Sequence, residues 1–288
     1  MSVSAVADWA PLILTVAPNG ARKTRKDHPA LPIRPMEIAE TAAAALEAGA
    51  AMIHLHVRDA EEKHSLDPAA YRDAIAAVRE AVGEALVIQV TSEAVGIYTP
   101  EQQMAMVRAL QPEAVSLAVR EIVPDAAGEA EARPFLAWLA EAGILPQYIL
   151  YDAADVTRFA ALRAAGVIPG SPAFLLFVLG RYTPGQRSQP ADLLPFMAAR
   201  QAAPEIADLP WAVCAFGPKE NACVTTAAAL GGHARVGFEN NLYRPDGALA
   251  ADNADLVAAA AAAARIIGRP LADADAARRL MRGETVGG

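Results

Sequence analysis

One periodicity limits the folds open to this chain: eight short apolar runs alternate with longer stretches rich in Ala, Leu, Glu and Arg. The apolar runs are 12–18 (LILTVAP), 51–58 (AMIHLHVR), 86–92 (LVIQVTS), 114–119 (AVSLAV), 146–152 (PQYILYD), 173–180 (AFLLFVLG), 211–217 (WAVCAFG) and 234–240 (ARVGFEN). Each is compact and mostly apolar, the pattern of a strand covered on both faces. Helices are predicted at roughly 36–49, 67–82, 100–111, 129–142, 153–165, 191–203, 221–231 and 253–267. Asp67-Pro68 and Thr99-Pro100-Glu101-Gln102 carry helix-start signals, and Asn253 opens the last predicted helix. Gly49, Gly83, Gly143, Gly166, Gly232 and Gly268 follow helices as C-terminal stops. Eight strand–helix units in 288 residues, with no linker-like break in composition, predict a single α/β domain with the (β/α)8 TIM-barrel fold. A doubly wound open sheet is the rival, but its Gly-rich dinucleotide turn (GxGxxG) is absent.

Charge and cysteine usage narrow the function classes. A formal net charge of −8 supplies no general attraction to nucleic acid or to an anionic membrane. Cys214 and Cys223 are the two cysteines and form no CxxC, so zinc-finger and disulfide-scaffold readings fail on count. The longest strongly apolar run, 256–264, is too short to span a bilayer. No basic-then-apolar leader opens the sequence. The expectation is a soluble cytoplasmic protein with small-molecule partners.

A TIM barrel gathers its chemistry at the C-terminal strand ends and the loops after them. The polar residues there are Asn19 and Arg22; His54, His56 and Arg58; Thr91, Ser92 and Glu93; Ser116 and Arg120; Asp152; Arg181; Lys219; and Arg235, Glu239 and Asn240. Side chains alternate faces along a strand, so His54, His56 and Arg58 share one face and the two imidazoles can converge on a metal. Glu239, at the end of the eighth predicted strand, is the best third ligand; a salt bridge to Arg235 is its competing role. His28 and His64 fall in loops, and His233 falls at the wrong end of its strand. Two histidines and a carboxylate suit Zn2+, and also iron or manganese.

Several segments are similar to a known family: TVAPNGARKT (15–24), EAGAAMIHLHVRD (47–59), IQVTSEAVG (88–96), QPEAVSL (111–117), LLFVLGRY (175–182), WAVCAFG (211–217), GGHARVGFENNLY (231–243) and DNADLV (252–257). Together they resemble the β-keto acid cleavage enzyme family over about nine-tenths of the chain, with HLHVRD and GGHxRVGxExNL the most specific elements. The resemblance implies a zinc-dependent barrel, a homotetramer, that takes a 3-keto acid and acetyl-CoA to acetoacetate and a new acyl-CoA. It places the zinc ligands on His54, His56 and Glu239, two site hydroxyls on Thr91 and Ser116, and the site arginine on Arg235. Claisen and retro-Claisen chemistry suits such a site, because a Lewis acid stabilises the carbanion it requires.

Three departures shape the expectation. The family's aspartate after the zinc-binding glutamate is Asn240 here, and an amide cannot serve as a carboxylate base. Glu93, at the barrel mouth, is the proposed replacement. Where members acting on amino-bearing substrates carry a glutamate, this chain has Arg22, and their acidic pair in the fifth strand is replaced by Gln147-Tyr148-Ile149. A cation there repels an amine, so a dicarboxylic or neutral 3-keto acid is expected, held by Arg22, Asn19 and Arg120. Arg181 and Lys219, with Gln186 and Arg187, are expected to meet acetyl-CoA. Two other readings stay open: a zinc-binding barrel hydrolase or aldolase, and a noncatalytic sensor that lost the base.

Overall fold

Burial on both faces is the rule for every barrel strand, as the apolar runs require. The computed structural model describes residues 9–286. In chain order the first elements are β1 (Leu14–Val16), α1 (Pro35–Ala48), β2 (Met52–Leu55), β3 (Val57–Arg58), β4 (His64–Ser65), α2 (Pro68–Val82), β5 (Val87–Thr91) and α3 (Pro100–Leu110). Then come β6 (Ala114–Ala118), α4 (Val119–Ile122), α5 (Ala126–Glu141), β7 (Leu145–Leu150), α6 (Ala153–Ala164), β8 (Phe174–Leu179) and α7 (Leu194–Gln201). β9 (Trp211–Ala215), α8 (Glu220–Ala229), β10 (His233–Val236), α9 (Asn253–Ile266) and α10 (Ala274–Met281) complete the series.

The strands close into a parallel barrel in the order β1-β10-β9-β8-β7-β6-β5-β2, so the expected (β/α)8 TIM barrel is the fold. The seam pairs Thr15 of β1 with Met52 of β2 on one side and Arg235 of β10 on the other. That register sets the strand carrying the paired histidines one strand away from the segment carrying Glu239. Among the described residues, no helix is long and apolar enough to cross a membrane. The expectation about a leader falls largely on residues 1–8, which lie outside the described residues.

Apolar side chains pack in two layers. An outer layer between strands and helices includes Leu14, Ile53, Tyr71, Val90 and Phe177. An inner layer fills the barrel below the site with Ile13, Met52, Val87, Phe174, Leu176 and Cys214, and continues into α10. Helix α10 has no strand partner of its own and so lies outside the strand–helix period. Capped at its start by Asp273, which accepts from Ala276 N, it buries Ala277, Leu280 and Met281 against the barrel floor. Burying Leu280 and Met281 is worth about 1.5–3 kcal/mol each.

Local signals operate where they were read. Asp67 caps α2 by accepting from Ala69 N, and Thr99 and Gln102 exchange the two bonds of a capping box at α3. Other boundaries differ. The cap of α9 is Asp252, not Asn253; Asn253 instead donates to Pro18 O and accepts from Phe238 N, tying the ends of β1 and β10 together. The predicted strand 51–58 breaks at His56, whose carbonyl accepts from the Asn19 side chain rather than from a neighbouring strand. Beyond it, β3 turns away to pair antiparallel with β4. Arg58 therefore leaves the histidine face: its guanidinium clamps the carbonyls of Gly20 and Lys23, at 2.6 and 3.0 Å, and that of Glu62.

Candidate active site

His54 enters the barrel from β2 and His56 from the bend just after it. Glu239 is not in a strand, because β10 stops at Val236 and the chain turns sharply. Gly237 makes that turn possible: its φ is +137°, and a Cβ there would meet Ala17 O at 2.4 Å. Gly20, at φ +61°, lets the loop after β1 pass the glutamate, since a Cβ there would sit 2.5 Å from Glu239 Cγ. Glu239 N donates to Ala17 O at 3.1 Å, and Lys23 Nζ donates to Glu239 O at 2.6 Å. These constraints bring Glu239 Oε2 to 3.5 Å from His54 Nε2 and 3.4 Å from His56 Nε2. The two imidazole Nε2 atoms are 3.1 Å apart.

The groups around the triad set its protonation. His54 Nδ1 lies 2.8 Å from Gln89 Oε1, and a carboxamide oxygen only accepts. The partner thus assigns the proton to Nδ1 and leaves Nε2 with a free lone pair. Gln89 Nε2 in turn donates to Gln147 Oε1 at 3.2 Å. Burial, helped by the Arg235 charge, holds the His54 imidazole well below its ordinary pKa, hence neutral. Burial pushes the Glu239 carboxyl up, but the Arg235 charge beside it is the foremost opposing influence, and the group is held well below the usual carboxylate range. Arg235 donates to Glu239 Oε1 at 2.9 Å, while the buried Oε2 has no partner. Two imidazole nitrogens and an unpaired carboxylate oxygen, with ligand atoms all within 4.8 Å of one another, form a ligand set that a divalent cation fits.

Residues 11–282 match the family described as beta-keto acid cleavage enzyme. The chain belongs to that family. A relative named 3-keto-5-aminohexanoate cleavage enzyme, from Fusobacterium nucleatum, is 32% identical over 94% of this chain and 97% of its own length. A 3-oxoadipate:acetyl-CoA acetyltransferase from Cupriavidus necator is 29% identical over 94% of each. Among solved structures, apo ObcA superposes with a TM-score of 0.66 at 18% identity, over 90% of this chain and 66% of ObcA, a likeness of fold.

In this member of the beta-keto acid cleavage enzymes the pocket above the triad is walled by Thr91, Glu93, Tyr151, Arg181, Phe216 and Arg235, among others. Arg235 Nε and Nη1 are buried without partners, so donors remain for a bound oxyanion. Thr91 lines the pocket, whereas Ser116 sits behind it, buried, with its hydroxyl donating to Thr91 Oγ1 at 3.4 Å. Glu93 borders both this pocket and an outer cavity of about 270 Å³ shared with Asn19, Arg22, Lys23 and Glu239. Its Oε1 lies 3.7 Å from Arg181 and 3.9 Å from Arg22, loose ion pairs that leave the carboxylate free to act. Asn19 is fully buried, holding Pro32 O and His56 O through Nδ2, with Oδ1 unpartnered.

Other expected residues go elsewhere. Arg120 is bound to Asp155 at 2.6 Å and Asp152 at 3.0 Å, lies over the Tyr151 ring, and lines neither cavity. Lys219 is exposed just before α8 and also lines neither. Arg181 lies against Phe216 and lines both the inner pocket and the outer cavity. Asn240 is buried, yet borders a different cavity from the triad. Gln89 and Gln147 went unread as site residues. Their signal was a polar residue inside an apolar strand, with Gln89 two positions before Thr91 and so on the same inward face. Lys23 also belongs to the site: burial lowers its pKa against the pull of Glu239, Glu220 and Asp27.

Proposed function

We propose that this chain cleaves a 3-keto acid with acetyl-CoA, giving acetoacetate and a new acyl-CoA. The observation that carries the proposal is the inward-facing His54–His56–Glu239 cluster, capped by Arg235 and Glu93, in a member of this family. The names of the relatives support acetyl-CoA as the second substrate. His54, His56 and Glu239 would hold the metal, for which zinc suits two imidazoles and a carboxylate, with iron or manganese as the alternatives. When bound, that ion supplies Lewis-acid polarisation to the oxygens of the keto acid.

The chain's own residues do the rest. The free Nε and Nη1 donors of Arg235 bind a substrate oxygen, and the Thr91 hydroxyl donates to an oxygen that gains charge, with Ser116 orienting it. Glu93 receives the α-proton on its carboxylate, the task that an amide at position 240 leaves open. The α-carbon, keeping its carboxylate, bonds to the acetyl carbon as the acetyl C–S bond breaks; the CoA sulfur takes the original acyl group as that group's bond to the α-carbon breaks, and the proton on Glu93 returns to that carbon to give acetoacetate. Arg22 and Arg181 beside Glu93 disfavour an amine at the far end of the substrate and favour a dicarboxylic or neutral chain.

The test is acetoacetate production from acetyl-CoA and a panel of dicarboxylic, hydroxylated, alkyl and amino-bearing 3-keto acids, with and without a chelator. Chelator-sensitive product from a dicarboxylic or neutral member is expected. Folded, metal-loaded protein that turns over none of them would reject the reaction.

A further inference from the structure

Glu93 as base leaves Asn240 without a task, yet its surroundings are not those of a filler residue. Asn240 is 3% exposed, and neither Nδ2 nor Oδ1 of its carboxamide has a hydrogen-bond partner within the protein. The backbone alone is held: N donates to Gly237 O at 2.9 Å, and O accepts from Gly217 N at 3.1 Å. A buried polar group left unpaired costs about 1–3 kcal/mol, so an amide idle at both ends weighs against the fold. A ligand that satisfies both ends recovers that loss.

The space beside it has a definite shape. Asn240 borders a cavity of about 490 Å³ walled also by Lys23, Gln186, Arg187, Gly217 and Tyr243. Lys23 and Gln186 line the outer cavity of the active site too, so the two spaces share a wall next to Glu239. Backbone comes close here because Gly217 carries no side chain; a Cβ would meet Gln186 O at 2.8 Å. Arg187, which is exposed, and Lys23 are the cations of the wall among the described residues.

An unpaired donor beside an unpaired acceptor is the complement of a secondary amide, which offers one N–H and one C=O. The pantetheine arm of coenzyme A carries two such amides between its sulfur and its nucleotide. We propose that this cavity receives the pantetheine arm and that Asn240 hydrogen-bonds it through both ends of its carboxamide. Position 240 is then a recognition residue for the second substrate, with Arg187 facing the phosphates. The inference rests on the acetyl-CoA reading above.

Calorimetry on the zinc-loaded protein tests it, with two probes: coenzyme A, and its nucleotide half alone, 3′-phospho-ADP. Asn240→Leu keeps the volume and removes both hydrogen bonds. It should weaken coenzyme A about tenfold or more, leave 3′-phospho-ADP within about twofold, and leave bound zinc unchanged. In turnover, KM for acetyl-CoA should rise more than kcat falls. Equal loss of both probes, or coenzyme A affinity within about twofold of wild type, would overturn the proposal. Should the variant misfold, the Asn240 side-chain amide resonance of 15N-labelled wild type decides: it must move with coenzyme A and stay still with 3′-phospho-ADP. Wild type that binds coenzyme A but forms no acetoacetate defeats the reaction and not this site. Active wild type matched by an equally active Asn240→Leu, with KM unmoved, defeats this site and not the reaction.

Discussion

Gln89→Leu removes the acceptor that assigns the His54 proton. In the wild-type protein Gln89 Oε1 receives Nδ1–H at 2.8 Å inside a site where both residues are essentially unexposed. Leucine fills nearly the same volume, so the perturbation is chemical rather than steric. His54 then has two options. It can keep the proton on Nδ1 with no partner, at about 1–3 kcal/mol, or move it to Nε2 and lose the lone pair that faces the cluster. Either cost falls on metal binding, which needs Nε2 bare. At 1.4 kcal/mol per decade, zinc should bind about 10–100-fold more weakly, in line with the usual effect of losing a partner behind a metal-bound histidine. The Gln147 Oε1 acceptor also loses its donor, which should lower stability by about 1 kcal/mol. Competition with a zinc-binding chromophore, at one pH, measures the affinity. Gln89→Glu provides the control, because a carboxylate still accepts from Nδ1 and should retain zinc. A folded Gln89→Leu protein with zinc affinity within about twofold of wild type would refute the reasoning.

Other perturbations test separate parts of the site. Gly20→Ala puts a methyl on Glu239 Cγ at a left-handed backbone position and should lower both zinc content and melting temperature; normal zinc occupancy would show that Glu239 is not positioned by that loop. Glu93→Gln should cut kcat about 100-fold or more with zinc retained, and an unchanged rate removes Glu93 as the base. Arg22→Glu should shift preference toward amino-bearing 3-keto acids, measured as a ratio of kcat/KM values; an unshifted ratio would take Arg22 out of substrate choice. Burial pushes the Glu220 carboxyl up to about 8, while the unfolded chain titrates near 4.3. Between those values the folded state holds the extra proton, so stability should fall as pH rises, by up to about 1.4 kcal/mol per unit. Glu220→Gln should flatten that decline in denaturant titrations from about pH 5 to about pH 8, and parallel slopes would refute the assignment.

The sequence by itself determined the repeating strand–helix order, because apolar periodicity and helix caps are local and each run reports its own burial. It also determined that His54 and His56 share a face, since both belong to one short extended segment. Even the candidacy of Glu239 came from its place at the end of the eighth predicted strand. What tertiary structure decided begins where the strands end. His56 leaves the ladder because Asn19, 37 residues earlier, takes its carbonyl. Glu239 and Asn240 are neighbours in sequence, yet the turn at Gly237, packed on Ala17, sends one toward the histidines and the other to a separate cavity. Arg120 looked like a substrate contact until Asp155 and Asp152 engaged it. Gln89 gains its role only because His54 stands opposite it. A side chain's direction beyond a strand end depends on backbone turns and partners contributed by distant segments, and no local pattern carries that information.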